Sequence, residues 1–410
     1  MTCHRHHLYN LCLLYASVIL FVIAARQHIN FLYSTYDKMT SPKRNNTNME
    51  NKEINSERTN EADINVEYND PTRIHIERNK SLDDLKLEKL KQIEKEIKNK
   101  YGFVIKASDF EKYGKARKED CLPGTMKRPP DIIIIGVQKC GTAVLRSMLA
   151  MHPTIAAQRK EAHFFNRSYR EGVPYYLEQL PCSKPNQLTL EKTPAYFDLT
   201  DPALLYAFNP NMKLILSVCD PVNRTISAFV HEKRMGHIPL ERSFTEEILT
   251  KDGAINASVN ITKRSNYLAP ITKYHRYFPP SQLYIHDYDL TKQKPWEGLN
   301  KIENYLGIDN IFTQSSFWFN NNAQVFCLDP PALNLTKEKL KTQNMFEDGC
   351  MNYFYKEHMP KPKVSEKILK MLRRHYGIYS TAFSMIVRKS FNWSPTVTDW
   401  LHPDHHPERW

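Results

Sequence analysis

Gly136, Lys139, Gly141 and Thr142 are spaced so that they could hold an anion. They follow Ile132-Ile-Ile-Ile135, four β-branched residues in a row, and precede Val144, Leu145, Met148 and Leu149 at helical spacing. The order is therefore strand, tight glycine-containing turn, helix. A turn of this kind aims backbone N–H groups and the positive end of a helix at one point, which suits a phosphate or sulfate. The spacing Gly136-x4-Gly141 is that of a Walker P-loop, but no lysine precedes Thr142; the lysine is Lys139, inside the turn. That pattern points to a phosphate loop of a different kind from the one that binds ATP.

Positioning such a loop takes a sheet. The apolar run 132–135 suits a strand buried on both faces of a parallel sheet. Leu188 to Phe197 reads as a short strand running into a Pro-bearing loop, and Lys213 to Cys219 as another buried strand, stopped by Asp220-Pro221, with a helix over Arg224 to Lys233. Gln282 to His286 reads as another strand and Trp296 to Leu306 as a helix. Strands alternating with helices predict an α/β domain with a central parallel sheet flanked by helices. Ligands of such sheets bind at the carboxyl ends of the strands, where the loops after Ile135 and Val218 fall.

The remainder of the 410 residues sets the context. The net charge of +12 favours anionic partners. Eight cysteines are too few for a disulfide scaffold, leaving room for a bridge or two. Residues 1–10 read as a short cytoplasmic tail and the apolar run 11–25 as a signal anchor; a signal peptide cleaved near Ala24-Ala25 is the competing reading. Either admits the chain to the secretory pathway, as do eight sequons at Asn45, Asn79, Asn166, Asn223, Asn256, Asn260, Asn334 and Asn392. Residues 26–120 read as a stem. It is polar and disordered over 37–80, then helical from a Ser81 cap, with Leu82, Leu85, Leu90, Ile93 and Ile97 forming an apolar stripe. That stripe fits a coiled coil or a helix packed on the domain. The compact domain is expected over 121–395, followed by a tail at 396–410. Nucleic acid is not an expected partner, because a secretory chain meets little of it.

Five segments in order carry a family resemblance: 134–142, His152-Pro153, Glu161-Ala-His-Phe-Phe165, Glu191-Lys-Thr-Pro-Ala-Tyr-Phe197 and Asp220-Pro-Val-Asn-Arg-Thr-Ile-Ser227. Over about residues 130–395 the chain resembles the Golgi heparan sulfate sulfotransferases. Within them it is most similar to the glucosaminyl 3-O-sulfotransferases and to the sulfotransferase domain of the N-deacetylase/N-sulfotransferases. The resemblance implies a P-loop-like sulfotransferase fold and 3′-phosphoadenosine 5′-phosphosulfate (PAPS) as co-substrate, with no metal. Heparan sulfate, an anionic glycosaminoglycan, would be the acceptor. It also implies a single-pass type II protein of the Golgi membrane with a luminal catalytic domain. Lys139, Cys140, Gly141, Thr142 and Ala143 would line the 5′-phosphosulfate, with Lys139 on the bridging oxygen. Glu161 would be the base, its pKa raised by the apolar Ala162, Phe164 and Phe165 around it. His163 would orient the site, and Lys192 would stand near the transferring sulfuryl group. Ser227 would bind the 3′-phosphate. Cys327 and Cys350 would form a disulfide. Cys140 and Cys219 read as small apolar fillers.

The departures from the resemblance are specific. Cys219 stands where the 3-O-sulfotransferases carry an Arg for the 3′-phosphate, Ala143 where they carry an Arg, and Asn166 where they carry an Asp. The Gln-Lys-x-Gly-Thr form of 138–142 matches the N-sulfotransferase domain, whereas His163 and the single-domain layout match the 3-O branch. The basic loop after the last paired Cys is replaced by 351–358, where Lys356 is the remaining firm cation. The expected function is sulfuryl transfer from PAPS to glucosamine of heparan sulfate, at O-3 ahead of nitrogen. A catalytically weak, membrane-tethered glycan-binding protein is the alternative. A nucleoside or carbohydrate kinase, the reading that Walker-like spacing invites, is opposed by the missing Walker lysine.

Overall fold

The structure is a computed structural model, and it describes residues 82–114, 121–351 and 360–395. The anchor at 11–25, the Ser81 cap, the polar part of the stem, the sequons Asn45 and Asn79, Lys356 and the tail 396–410 lie outside the described residues. Among the described residues no helix is long and apolar enough to cross a membrane.

The first described element is α1 (Leu82–Tyr101). The compact unit that carries the site starts at Gln92. The reason is burial. Ile93, Ile97, Ile105 and Phe110 are all buried, and the Phe110 ring meets Tyr176 and Phe208 edge-on. Two short strands, β1 (Met126–Lys127) and β4 (Cys182–Ser183), pair antiparallel, and a Cys121–Cys182 disulfide lies beside them.

Five parallel strands form the central sheet: β2 (Ile132–Gly136), β3 (Ile155–Ala157), β5 (Leu188–Lys192), β6 (Lys213–Val218) and β7 (Leu283–Asp287), in the order β3-β5-β2-β6-β7. β2 lies in the middle, so Ile132 to Ile135 are at most 1% exposed, as an unbroken apolar strand requires. Register sets Lys192 of β5 against Ile134 of β2, and Leu216 of β6 against Gly136. The carboxyl ends of β5, β2 and β6 therefore come side by side.

From β2 the chain enters α2 (Thr142–Leu149), and from β6 it enters α3 (Pro221–Arg234). Asp220 caps α3 by accepting from Val222 N at 2.8 Å, and Pro221, which needs no N–H partner, opens it. α4 (Pro295–Leu306) packs Leu299 and Ile302 with Leu145, Met148 and Leu149 of α2 against Ile132, Ile134 and Ile215. α5 (Glu366–Val387) brings Ile368, Leu372 and Tyr376 to Val222, Ala228 and Phe229 of α3. A hairpin of β8 (Phe317–Asn320) and β9 (Val325–Leu328) is stapled by the expected Cys327–Cys350 bridge.

The cysteines correct two expectations. Three disulfides are formed among the described residues, not one or two. Cys140 and Cys219 are not apolar fillers; they are bonded to each other, 79 residues apart, with Cα atoms 5.3 Å apart. Both lie just past the ends of the adjacent strands β2 and β6, and only the strand order brings them together.

Candidate active site

The loop between β2 and α2 is held on β6. Val137 N donates to Ser217 O at 2.7 Å, and Cys140 N donates back to Val137 O at 3.0 Å. Ser217 Oγ donates to Cys140 O at 2.7 Å. Lys139 and Gly141 both adopt the left-handed region, with φ of 79° and 72°. Gly141 admits no side chain, since a Cβ there would lie 2.0 Å from the Tyr288 ring. A turn with two left-handed residues curls its N–H groups toward a common centre. The first turn of α2 adds the N–H groups of Thr142, Ala143 and Val144, which have no partner within the helix. Thr142 is buried and Ala143 exposed; Lys139 is half-buried.

α3 supports the same loop. Arg224 is fully buried, a costly state for a guanidinium unless its donors are used. Its Nε donates to Gln138 O at 3.0 Å and its Nη1 to Ile261 O and Ser265 Oγ, at 3.0 and 3.2 Å. Ser227 lies half-buried on α3, three residues further on. His231, in the last turn of α3, is pushed down to about 4 by burial and then by the Lys139 charge, with the Glu161 charge acting weakly in the opposite sense. It is neutral at neutral pH.

The Glu161 loop rests on a second glutamate. Glu191 of β5 is fully buried and accepts hydrogen bonds from Tyr176 Oη, from Thr193 Oγ1 at 2.8 Å, and from Tyr196. Burial pushes its carboxyl up, and these hydroxyls oppose the rise. The hydroxyls also accept. Thr193 Oγ1 takes the N–H groups of Ala162 and His163, at 3.1 and 3.4 Å, and Tyr196 Oη those of Phe164 and Phe165, at 2.9 and 3.4 Å. One buried carboxylate thus fixes the backbone of four successive residues. Phe164 stacks on Tyr176 at 4.1 Å between ring centroids and closes the floor.

Above that floor Glu161 is 35% exposed. Its Oε1 accepts from Lys192 Nζ at 2.5 Å, and its Oε2 lies 3.2 Å from His163 Nε2. His163 Nδ1 faces Asn166 Oδ1 at 3.3 Å. The raised pKa expected for Glu161 is not found. Burial does act upward, but the His163 hydrogen bond and the Lys192 charge outweigh it and hold the carboxyl at about 2. The neighbouring phenylalanines are buried in the core, so the carboxylate meets Lys192 and His163 instead.

Glu161 thus contacts both His163 and Lys192, and Lys192 ends the strand beside β2, which leads into the Lys139 loop. Cys140 and Cys219 have no thiol to offer a ligand. The residues not singled out in the sequence are Glu191, Thr193, Tyr196, Arg224, His231 and Tyr288. A charge inside an apolar strand was the available signal for Glu191, because a buried carboxylate needs donors.

This arrangement can bind an anion at the loop and present a carboxylate beside it. A protein-family model described as a sulfotransferase domain matches residues 129–378. Heparan sulfate glucosamine 3-O-sulfotransferase 3A1 of Mus musculus is 29% identical over 284 residues, 67% of this chain and 69% of that one. Heparan sulfate glucosamine 3-O-sulfotransferase 5 of Mus musculus is 27% identical, over 70% of this chain and 80% of that one. A sulfotransferase from Alicyclobacillus acidocaldarius superposes with a TM-score of 0.45 at 16% identity, over 65% of this chain and 98% of that one. The matched region includes the loop at 137–143, the Glu161 loop and the start of α3, and on this the chain belongs to the sulfotransferase domain family.

Proposed function

We propose that the protein transfers a sulfuryl group from PAPS to glucosamine of heparan sulfate, at the 3-O position. The observation that carries the reading is the Glu161 carboxylate, clasped by His163 and by Lys192 at the end of β5, the strand beside β2, from which the anion loop with Lys139 departs. The names of the relatives, all glucosamine 3-O-sulfotransferases, support the acceptor. The loop fits a phosphosulfate by the chemistry of its donors, which are backbone N–H groups and a lysine.

In this reading the acceptor hydroxyl oxygen attacks sulfur as its proton passes to Glu161. The bond from sulfur to the 5′-phosphate oxygen breaks, and Lys139 neutralises the charge left on that oxygen. A carboxylate held at about 2 is a weak proton acceptor. Lys192 is shared: when it turns toward the sulfuryl group, Glu161 loses a cation and its affinity for the proton rises. The ion pair therefore stores the base in its charged form until a donor arrives. The same reading places the domain in the Golgi lumen behind the 11–25 anchor, a compartment where three disulfides form readily.

The test is incorporation of labelled sulfate from PAPS into heparan sulfate, followed by disaccharide analysis. A 3-O-sulfated product is expected. N-sulfated product would move the assignment to the other branch, and wild type as inactive as Glu161→Gln on both acceptor types would overturn it.

A further inference from the structure

We infer that the Cys140–Cys219 disulfide is a positioning element for the sulfate donor, holding the anion loop in its binding shape before the donor arrives. The inference rests on the donor reading above.

Three observations carry it. First, the loop adopts a shape its own residues resist. Lys139 is an L-residue in the left-handed region, next but one to a second left-handed position at Gly141. Second, its hydrogen-bonded restraints come from β6 and the segment that follows it, Arg224 of α3 included. Val137 and Cys140 hang on Ser217 of β6, and Tyr267 Oη, which donates to Cys219 O at 3.0 Å, lies 3.5 Å from Cys140 Sγ. Among these the disulfide is the covalent tie. It joins the residue before the Gly141 cap of α2 to the residue before the Asp220 cap of α3. Third, the bridge is deeply buried, with Cys140 at 0% and Cys219 at 4% exposure, so it does not guard a surface.

The physical need is clear. A loop that gathers N–H dipoles, a helix N-terminus and the Lys139 charge at one point repels itself when empty. Without a restraint it relaxes, and the donor must reorder it at a cost in affinity. A covalent tie to the neighbouring strand removes much of that freedom. Position 219 then serves the anion through the shape of the loop and carries no charge of its own.

The test compares two double variants of the full chain, Cys140→Ala/Cys219→Ala and Cys121→Ala/Cys182→Ala. Three quantities are measured: binding of 3′-phosphoadenosine 5′-phosphate by calorimetry, steady-state kinetics, and thermal unfolding. For the first variant the nucleotide Kd and the donor KM should rise about tenfold, with kcat within about twofold of wild type. For the second, Tm should fall while donor KM stays within about twofold. A folded first variant with unchanged donor KM overturns the inference. So does a rise in donor KM in both variants in proportion to their lost Tm, since that is what a merely structural bridge would give. Should the first variant fail to fold, Cys140→Val/Cys219→Ala, which also removes the bridge but refills more of its buried volume, carries the same test. A donor KM raised about tenfold supports the inference, and an unchanged one overturns it. Wild type that binds no nucleotide overturns the donor reading and this inference together. Wild type that binds it, beside a first variant that binds equally well, overturns this inference alone.

Discussion

The two loops of the site are held by opposite means. The anion loop at 137–141 is tied to β6 by backbone hydrogen bonds and a disulfide, and to α3 by the buried Arg224. The Glu161 loop is tied to nothing covalent; a buried glutamate, relayed through two hydroxyls, fixes its backbone. The two glutamates make the contrast sharper. Glu191 is fully buried among hydroxyls and its carboxyl is pushed up, whereas Glu161, 35% exposed between a lysine and a histidine, is held at about 2. The same side chain serves as scaffold in one place and as reacting group in the other, and its neighbours decide which. A loop that must gather like charges needs rigidity, whereas a loop that presents one carboxylate needs only its backbone aimed.

Variants can separate the two loops. The largest effect belongs to Glu161→Gln, which removes the proton acceptor and leaves the anion loop untouched. Its kcat should fall about a thousandfold, with donor KM unchanged in steady-state kinetics. A loss of only a few-fold would show that another group takes the proton. Next is Lys139→Ala, on the other loop. It should lower kcat/KM for PAPS by about a hundredfold while the Kd for the glycan acceptor stays constant. An equal loss of acceptor binding would mean that Lys139 serves the glycan, and the division between the loops would fail.

Much of this site was legible in the sequence, and the gaps have physical causes. The sheet strands and the turn at 136–142 were readable because buried β-branched runs and glycine spacing are local signals. Glu161, Lys192 and His163 could be named from ordered motifs, and the structure puts them in contact. The Cys140–Cys219 bond was not readable, because it depends on β6 lying beside β2, and strand order is a property of the whole sheet. The role of Glu191 was hidden for a similar reason: Tyr176, one of its three hydroxyl partners, comes from a separate helix. The direction of the Glu161 shift was misread because adjacent phenylalanines record apolar neighbours in the chain. They say nothing of which cations the fold brings near.

Glu191→Gln tests the hidden half of the comparison. The amide keeps one acceptor oxygen and sets an NH2 against hydroxyls that must now turn. Unfolding free energy should drop by about 1–3 kcal/mol in urea. The backbone at 162–165 should loosen, and kcat should fall about tenfold through misplacement of Glu161. Donor KM should hold, because no bond of this network reaches residues 137–141. If donor KM rose as much as kcat fell, the two loops would be one mechanical unit.

The smallest effect is the most specific, and it concerns pH. The His163 hydrogen bond is the strongest of the influences lowering the Glu161 pKa from 4.5 to about 2. His163→Ala removes it and leaves the Lys192 pair, so the carboxyl should move part of the way back. The acid limb of kcat/KM, which Glu161 keeps near pH 2 in wild type, should then rise toward the ordinary carboxylate range, with only a few-fold loss of rate at pH 7. The sign for stability follows from the same shift. A carboxyl depressed in the folded state adds stability that is complete above its unfolded value of 4.5, and loses it as pH falls toward about 2. Wild type should therefore exceed His163→Ala in thermal stability by a full margin at neutral pH. That margin should shrink through the window from 4.5 down to 2. A margin independent of pH would mean that His163 supports the loop by packing alone, and the charge-based account of Glu161 would have to rest on Lys192 by itself.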